Sequence, residues 1–400
     1  MTDLTLLAPD GATRRVPLVD TSGYARPMAP LRSRVAYAAA HVVPKTHADN
    51  TPGRPADIDW DATLAFRRNV YSWGLGVADA MDTAQRNMGL DAAATRELIA
   101  RSAEVARDAG GAVVVGVNTD HVEDERITLD RVIDAYKEQL HFTEEQGAGP
   151  VLMASRHLAR AAESAADYRR VYREVLAAAS SPVVLHWLGT AFDPQLEGYF
   201  GATDWPTASG VLLEIIRENP AKIAGVKMSL LNAESEVAVR ERLPEGVRMF
   251  TGDDFNYVGL IGGADVPDAP QPQRDLRATR QHSDALLGAF AALTPVASAA
   301  IQALDERDPA RYLEILGPTE ELSRQIFAAP TFYYKTGVAF LAWLNGHQSA
   351  FQMVGGLHSA RSLPHLSRIV ELANTAKAFE QPDLAASRWN DLLRLNGVTA

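Results

Sequence analysis

The chain has 400 residues, 46% of them hydrophobic, a formal net charge of −11 at pH 7 and no cysteine. That length supports one large core with an appendage, or two domains. The absent thiols exclude disulfides and thiolate metal sites, and the acidic, mixed-sign charge argues against a general binder of phosphate backbones. No apolar run reaches membrane-spanning length, and the opening MTDLTLLAPDG lacks the basic and long apolar regions of a signal peptide. The expectation is a soluble, cytoplasmic protein with no nucleic-acid and no membrane partner.

Residues 1–30 read as an N-terminal extension. Within it, Leu4-Thr5-Leu6-Leu7 and Arg14–Leu18 flank the hairpin turn signal Asp10-Gly11. From residue 31 to 295, short apolar strands alternate with amphipathic helices. The strands are Arg34–Ala39, Gly74–Ala78, Ala112–Val117, Pro150–Met153, Val183–Trp187, Ile223–Lys227 and Val247–Thr251, with Leu286–Ala291 as an eighth. The helices are Asp59–Trp73, Asp91–Asp108, Leu129–Gln146, Ser164–Ala178, Ala208–Glu218 and Ala233–Leu243, each with apolar residues at three- and four-residue spacing. Asp91 and Ser164 stand where N-caps belong.

Strands this continuous in Val, Leu, Ile and Ala suit a parallel sheet covered on both faces. Repeated strand–helix alternation predicts an α/β fold, a (β/α)8 TIM barrel, over residues 31–295. A doubly wound open sheet is the alternative; no GxGxxG or Walker A loop supports its nucleotide-binding form. Residues 296–400 read as a C-terminal helical region, with helices at Val296–Leu304, Pro309–Ala328, Tyr334–Asn345 and Leu363–Phe379. Two irregular inserts interrupt the pattern. Gly189–Pro206 carries Phe192, Tyr199, Phe200 and Trp205, which form a lid, an oligomer contact or packing against the body. Ala264–Gln281, rich in proline and charge, reads as a long surface loop, either lid or interface.

The most informative stretch is Ile223-Ala224-Gly225-Val226-Lys227-Met228-Ser229, an apolar strand that ends in a lysine. Burying an ammonium costs several kcal/mol unless something compensates. Enzymes accept that cost where they need a neutral amine: desolvation lowers the lysine pKa, and the free amine attacks a carbonyl to form a Schiff base. Barrel active sites gather at the carboxyl ends of the strands. That rule adds His41, Asp79, Asn118, Asp120, His186, Asp253 and Asp254 as candidates, each with a bland reading beside it. His186 is either a general acid/base, suited by a reference pKa near neutrality, or a core histidine. Asp79 and Asp82 either bind substrate hydroxyls or cap a helix. Asn118 and Asp120 contact substrate or shape a turn. Asp253 and Asp254 are an N-cap pair or touch substrate. Ser229 shapes the pocket beyond the lysine. Lys335 is a rival amine, with Tyr333 and Tyr334 beside it.

Three segments in order carry a family resemblance: Pro182-Val183-Val184-Leu185-His186-Trp187, then Ile223–Ser229, then Phe250-Thr251-Gly252-Asp253-Asp254. Together they resemble the dihydrodipicolinate synthase / N-acetylneuraminate lyase superfamily of class I aldolases, over residues 30–380. The resemblance implies a barrel with C-terminal helices, a Schiff base on Lys227 and no cofactor. It also implies a small keto substrate and a homodimer or homotetramer. Three departures mark a divergent branch. His186 stands where the family has a tyrosine. Trp73-Gly74-Leu75-Gly76-Val77-Ala78-Asp79 lacks the family's paired threonines. Leu188-Gly189-Thr190-Ala191-Phe192 lacks the arginine of the synthases.

The reading is therefore a class I aldolase-type lyase or dehydratase acting on a small keto compound, either a sugar- or cyclitol-derived ketone or a 2-oxo acid. Lys227 and His186 are its catalytic residues. Asp79, Asp82, Asn118, Asp120, Ser229, Asp253, Asp254 and Tyr334 are its substrate-binding residues. The alternatives are a non-catalytic sugar-binding relative and a metal-dependent lyase or isomerase on the same barrel. The ten histidines show no HxH or HExxH spacing, so a divalent ion would draw on Asp79, Asp120, His186 and Asp253 from separate strands.

Overall fold

The computed structural model describes residues 3–20, 23–269 and 282–398. Most of the expected loop Ala264–Gln281 lies outside them. An antiparallel hairpin, β1 (Asp3–Leu7) and β2 (Thr13–Pro17), opens the chain. Eight parallel strands follow: β3 (Ala36–Ala39), β4 (Gly76–Asp79), β5 (Val113–Val117), β6 (Gly149–Met153), β7 (Val183–Leu188), β8 (Ile223–Ser229), β9 (Arg248–Thr251) and β10 (Asp284–Leu287). Each pairs with the next, and β10 closes on β3, so the sheet is a complete barrel with no free edge.

Between the strands run α1 (Trp60–Ser72), α2 (Ala92–Ala109), α3 (Leu129–Glu145), α4 (Arg156–Ala161), α5 (Ala165–Ala178), α6 (Trp205–Glu218), α7 (Ala233–Arg240) and α8 (Tyr257–Gly262). Local chemistry fixes their ends. Asp91 caps α2 by accepting from Ala94 N, and Ser164 forms a capping box with Asp167 on α5. α6 starts three residues before the expected Ala208, because Asp204 caps it and Pro206 sits in its first turn. No helix among the described residues is long and apolar enough to cross a membrane.

The pleat sorts the strand residues into two layers. Ala39, Ala78, Val114, Val151, Val184, Phe250 and Leu286 meet inside the barrel. Val77, Val117, Leu152, Leu185, Val226 and Met228 pack outward into the larger core beneath the helices. His186 and Lys227 share the parity of Val184 and Gly225, so both point inward, and they are register partners on β7 and β8.

The tail contains α9 (Ala289–Ala292), α10 (Thr294–Asp305), α11 (Pro309–Leu316), α12 (Thr319–Ile326), α13 (Tyr334–Leu344), α14 (Leu363–Thr375) and α15 (Pro382–Leu395). The expected strand Leu286–Ala291 is displaced: β10 ends at Leu287, and its second half coils into α9. The expected helix Pro309–Ala328 breaks into α11 and α12 at Gly317-Pro318, where proline offers no N–H to continue the ladder. α15 is an addition to the sequence reading. It buries Ala385, Ala386, Trp389 and Leu393, and Trp389 Nε1 donates to Thr5 O on β1 at 2.6 Å. The N-terminal hairpin thus docks on the tail helices.

Candidate active site

Lys227 lies two residues from the end of β8 and is 8% exposed. Its chain crosses Gly252, just past β9. A Cβ at Gly252 would stand 2.2 Å from Ser229 Oγ and 2.9 Å from Lys227 Cε, so only glycine leaves the lysine its path. Lys227 Nζ makes no hydrogen bond or ion pair among the described residues. Burial lowers its pKa from the ordinary lysine value to about 8, although the charges of Asp254 and Asp82 pull the other way.

Asp254 follows β9. Its Oδ1 accepts from Ala289 N at 2.9 Å, and it makes no other hydrogen bond among the described residues. Burial raises its pKa strongly, opposed by the Ala289 N–H and by the charge of Lys227. Both groups are therefore pushed toward neutrality, and each feels the other's charge without a hydrogen bond or ion pair joining them.

His186 is buried, and its Nε2 lies 3.1 Å from Ser229 Oγ. Its Nδ1 has no hydrogen-bond partner among the described residues. Burial, helped by the charge of Lys227, pushes its pKa well below the usual histidine value. The near-neutral titration expected from the sequence is therefore absent; the imidazole is neutral and serves as a hydrogen-bonding group.

The loop after β4 supplies the opposite wall. Ala80, Gln85 and Asn87 all adopt positive φ (46°, 66° and 60°), a conformation that costs non-glycine residues energy and clusters at functional sites. The path it traces sets Thr83 Oγ1 2.7 Å from the hydroxyl of Tyr334, at the start of α13. Tyr334 is buried, stacked on Phe327 with centroids 4.3 Å apart, and its pKa is raised well above the usual tyrosine value, burial being the main cause. Asp82 accepts from Lys335 Nζ at 3.1 Å. Lys335 also donates to Phe332 O and contacts Met88 Sδ, so all three of its N–H groups are taken. As a rival nucleophile it is fully engaged.

Asp79 is a correction. It has the parity of Val77 and points outward, where both of its oxygens accept from Arg67 on α1 at 2.8 and 2.9 Å, with both side chains fully buried. It ties β4 to its helix and leaves no oxygen for a substrate. Asp253 is likewise turned away: Oδ1 accepts from Phe255 N and Oδ2 from Asn256 Nδ2, both in its own turn. His41 stacks edge-on against Phe66, bonds Gln348, and is held neutral mainly by burial, its pKa falling to about 3. The metal set named from the sequence does not converge. Among the described residues no three His, Asp or Glu side chains gather as a metal site would require.

A cavity of about 320 Å³ opens at the carboxyl ends of β4 to β7. Asp82, Asn118 and Asp120, named from the sequence as substrate-binding candidates, are among its lining residues. So are Arg86, Arg156, His157 and Asp193, which sequence reasoning missed. Arg156 and His157 follow the end of β6, so the strand-end rule applied to that strand would have found them. Lys227 is not among the lining residues. Nor are its register partners His186 and Phe250; the cavity reaches one step short of them, at Met153, the register partner of His186, and Leu188, that of Ser229. The aromatic insert packs on the body of the chain, with Phe192, Tyr199 and Phe200 buried. Phe200 packs on Trp187 and Tyr168, and Phe192 meets Tyr334 edge-on at 5.8 Å, walling the cavity against the tail.

The profile of the family described as "Protein of unknown function (DUF993)" matches residues 4–398. The chain belongs to the DUF993 family. No curated protein sequence matches it significantly. Solved structures do match in fold. Dihydrodipicolinate synthase from Aquifex aeolicus superposes with a TM-score of 0.61 at 14% identity, over 87% of this chain and 99% of that one. A putative dihydrodipicolinate synthetase from Pseudomonas aeruginosa gives 0.60 at 15% identity, over 86% and 98%. The 4-hydroxy-tetrahydrodipicolinate synthase of Methylacidiphilum fumariolicum SolV gives 0.58 at 15%, over 86% and 99%. This DUF993 chain therefore has the dihydrodipicolinate synthase fold, and the resemblance read from three short segments holds at that level.

Proposed function

We propose that this protein is a Schiff-base lyase that holds a small ketone as an imine on Lys227. The observation that carries the reading is the state of that amine: buried at the inner end of a barrel strand, without a partner among the described residues, and depressed in proton affinity. With a pKa of about 8, roughly one molecule in ten carries a neutral amine at pH 7, against about three in ten thousand for an ordinary lysine. Lys335 is equally buried, and burial lowers its pKa too, but all three of its N–H groups are bonded, so it is the free amine group of Lys227 that sets the two apart.

The neutral amine adds to the substrate carbonyl carbon, and the nitrogen proton passes to the new oxygen to give a carbinolamine. An acid protonates that hydroxyl, water leaves, and a protonated imine remains. The iminium then accepts the electron pair of a neighbouring bond. In a retro-aldol cleavage a base takes the β-hydroxyl proton, the Cα–Cβ bond breaks to give a carbonyl product and an enamine, and a proton delivered to Cα restores the imine. In a dehydration a base takes the α-proton and the β-hydroxyl leaves as water. Water finally hydrolyses the imine and returns the free amine. Asp254, raised in proton affinity by burial and within electrostatic reach of the lysine, suits the acid role expected of His186, with the substrate hydroxyl or a water between it and the nitrogen. His186 and Ser229 would orient groups around the nitrogen.

Borohydride reduction in the presence of candidate ketones tests the reading. A stable mass increment on a Lys227 peptide is expected. A turned-over substrate that leaves no adduct on any lysine would sink it.

A further inference from the structure

Resting on that reading for the ketone end of the substrate, we infer that the cavity at the mouth of β4 to β7 takes an uncharged, polyhydroxylated carbon chain, a free ketose or an oxidised cyclitol, in preference to a 2-oxo acid or a sugar phosphate. The argument is a count of donors. Arg86 is fully buried, and each of its five N–H groups has an acceptor. Nε and Nη2 grip the two oxygens of Asp120, Nη2 also reaches Gln139 Oε1, and Nη1 donates to Ala80 O and Gly116 O. Lys335, behind the wall, has spent its three as described above. An anion entering the cavity finds neither cation free.

Arg156 alone keeps donors to spare. Its Nε pairs with Asp193 Oδ2 at 2.6 Å, and its two Nη groups make no hydrogen bond among the described residues. Three carboxylates (Asp82, Asp120 and Asp193) line the same space. Each of them holds one of the cations, Asp120 with Arg86, Asp193 with Arg156 and Asp82 with Lys335, so the pairs cancel and leave no net positive charge to draw in a phosphate or carboxylate. His157 adds no charge, since burial lowers its pKa and its Nδ1 is bonded to Thr119 Oγ1 at 2.7 Å. The remaining polar edges are neutral. Asn118 spends its Oδ1 on Thr119 N and leaves its amide NH2 without a partner among the described residues. An arginine–carboxylate pair beside an amide matches adjacent hydroxyls, which both donate and accept.

Two measurements on one panel decide the matter. The panel is D-fructose, 2-keto-myo-inositol, D-fructose 6-phosphate and pyruvate. Borohydride trapping is run on the wild type, and calorimetric binding on Lys227→Met, which cannot form an imine. The expected result is a Lys227 adduct with a neutral polyol, and binding of that polyol to the variant at least ~10-fold tighter than its phosphorylated or carboxylate counterparts. Trapping or binding that favours fructose 6-phosphate or pyruvate overturns the inference while leaving the imine standing. A variant that binds the neutral polyol while the wild type yields no adduct supports the inference and counts against the imine. Failure of both neutral polyols to bind the variant at millimolar concentration overturns the inference whatever the trapping shows.

Discussion

Replacing Lys227 with methionine should stabilise the protein while removing the proposed chemistry. The folded state lowers the lysine pKa from 10.5 to about 8, so folding carries a penalty on the charged form. At ~1.36 kcal/mol per unit, that penalty is about 3 kcal/mol. The sign follows from proton counts. Between about pH 8 and 10.5 the unfolded chain binds more protons than the folded one, so wild-type stability rises with pH across that window. The penalty is complete below about pH 8 and gone above 10.5. Methionine has a similar length and no charge to desolvate. Asp254 is not left as a bare buried anion, because burial already raises its pKa and loss of the neighbouring cation raises it further. The variant should therefore gain on the order of 3 kcal/mol at pH 7, with the gain shrinking as pH approaches 10. Urea unfolding of wild type and variant at pH 7, 8.5 and 10 measures both numbers. A neutral or destabilising substitution at pH 7, or a gain that does not change with pH, would refute the claim that this amine is desolvated.

Gly252→Ala should displace the Lys227 side chain, since the new methyl meets Ser229 Oγ at 2.2 Å and Met228 O at 2.8 Å. The expected cost is ~1–3 kcal/mol in unfolding free energy, with trapping on Lys227 slowed about 100-fold by misplacement. Gly210→Ala on α6, where nothing lies within 4 Å, is the control: it should stabilise by about 0.5–1 kcal/mol, as alanine does inside a helix, and leave trapping unchanged. Asp79→Ala should destabilise by roughly 3–5 kcal/mol by stranding buried Arg67, yet leave trapping per folded molecule at the wild-type rate; a trapping defect in the folded fraction would return Asp79 to the site. Asp254→Asn should slow imine formation by ~10²–10⁴-fold. In the wild type, Asp254 loses its proton as pH rises through its raised pKa, so the rate falls on that side; the asparagine variant, with nothing to lose there, should lack the falling limb, which a stopped-flow pH profile will show.

The barrel was legible because its strands are short, branched and apolar, and because each is followed by a segment with helical spacing. Lys227 stood out for a related reason: a charge at the end of Ile223–Val226 is a conflict that needs a cause. Asp79 shows where the strand-end rule is too coarse. Position along a strand says nothing of direction, and the pleat sends Asp79 to the helix side with Val77 while Lys227 goes inward with Gly225. Parity, readable from the alternation, would have separated them. His186 was placed correctly inside the barrel, but its titration depends on burial and on the lysine beside it, neither of which has a sequence signature. The hydroxyl pair of Thr83 and Tyr334 joins residues 251 positions apart, and only the closing of the tail over the barrel brings them together.

That last pair bears on the departures from the family pattern. The segment Trp73–Asp79 has no threonines, which by itself suggested that hydroxyl chemistry at the mouth of the second barrel strand was gone. The structure has a hydroxyl there all the same, a few residues later. Thr83 arrives by way of a loop that holds Ala80 at positive φ just before it, and its partner phenol comes from α13. Thr83, Tyr334, Asp82 and Lys335 form one buried polar knot between barrel and tail, with Phe192 closing its flank. A bare barrel would expose these groups to water, where a Lys–Asp pair contributes little. Enclosed by the tail, the same pair fixes Asp82 beside the cavity and occupies Lys335, whose three N–H groups are all bonded, whereas Lys227 has no such partner among the described residues. On the proposed reading the C-terminal helices belong to the site, because they bring Lys335 to its three partners and leave Lys227 the less engaged of two buried lysines.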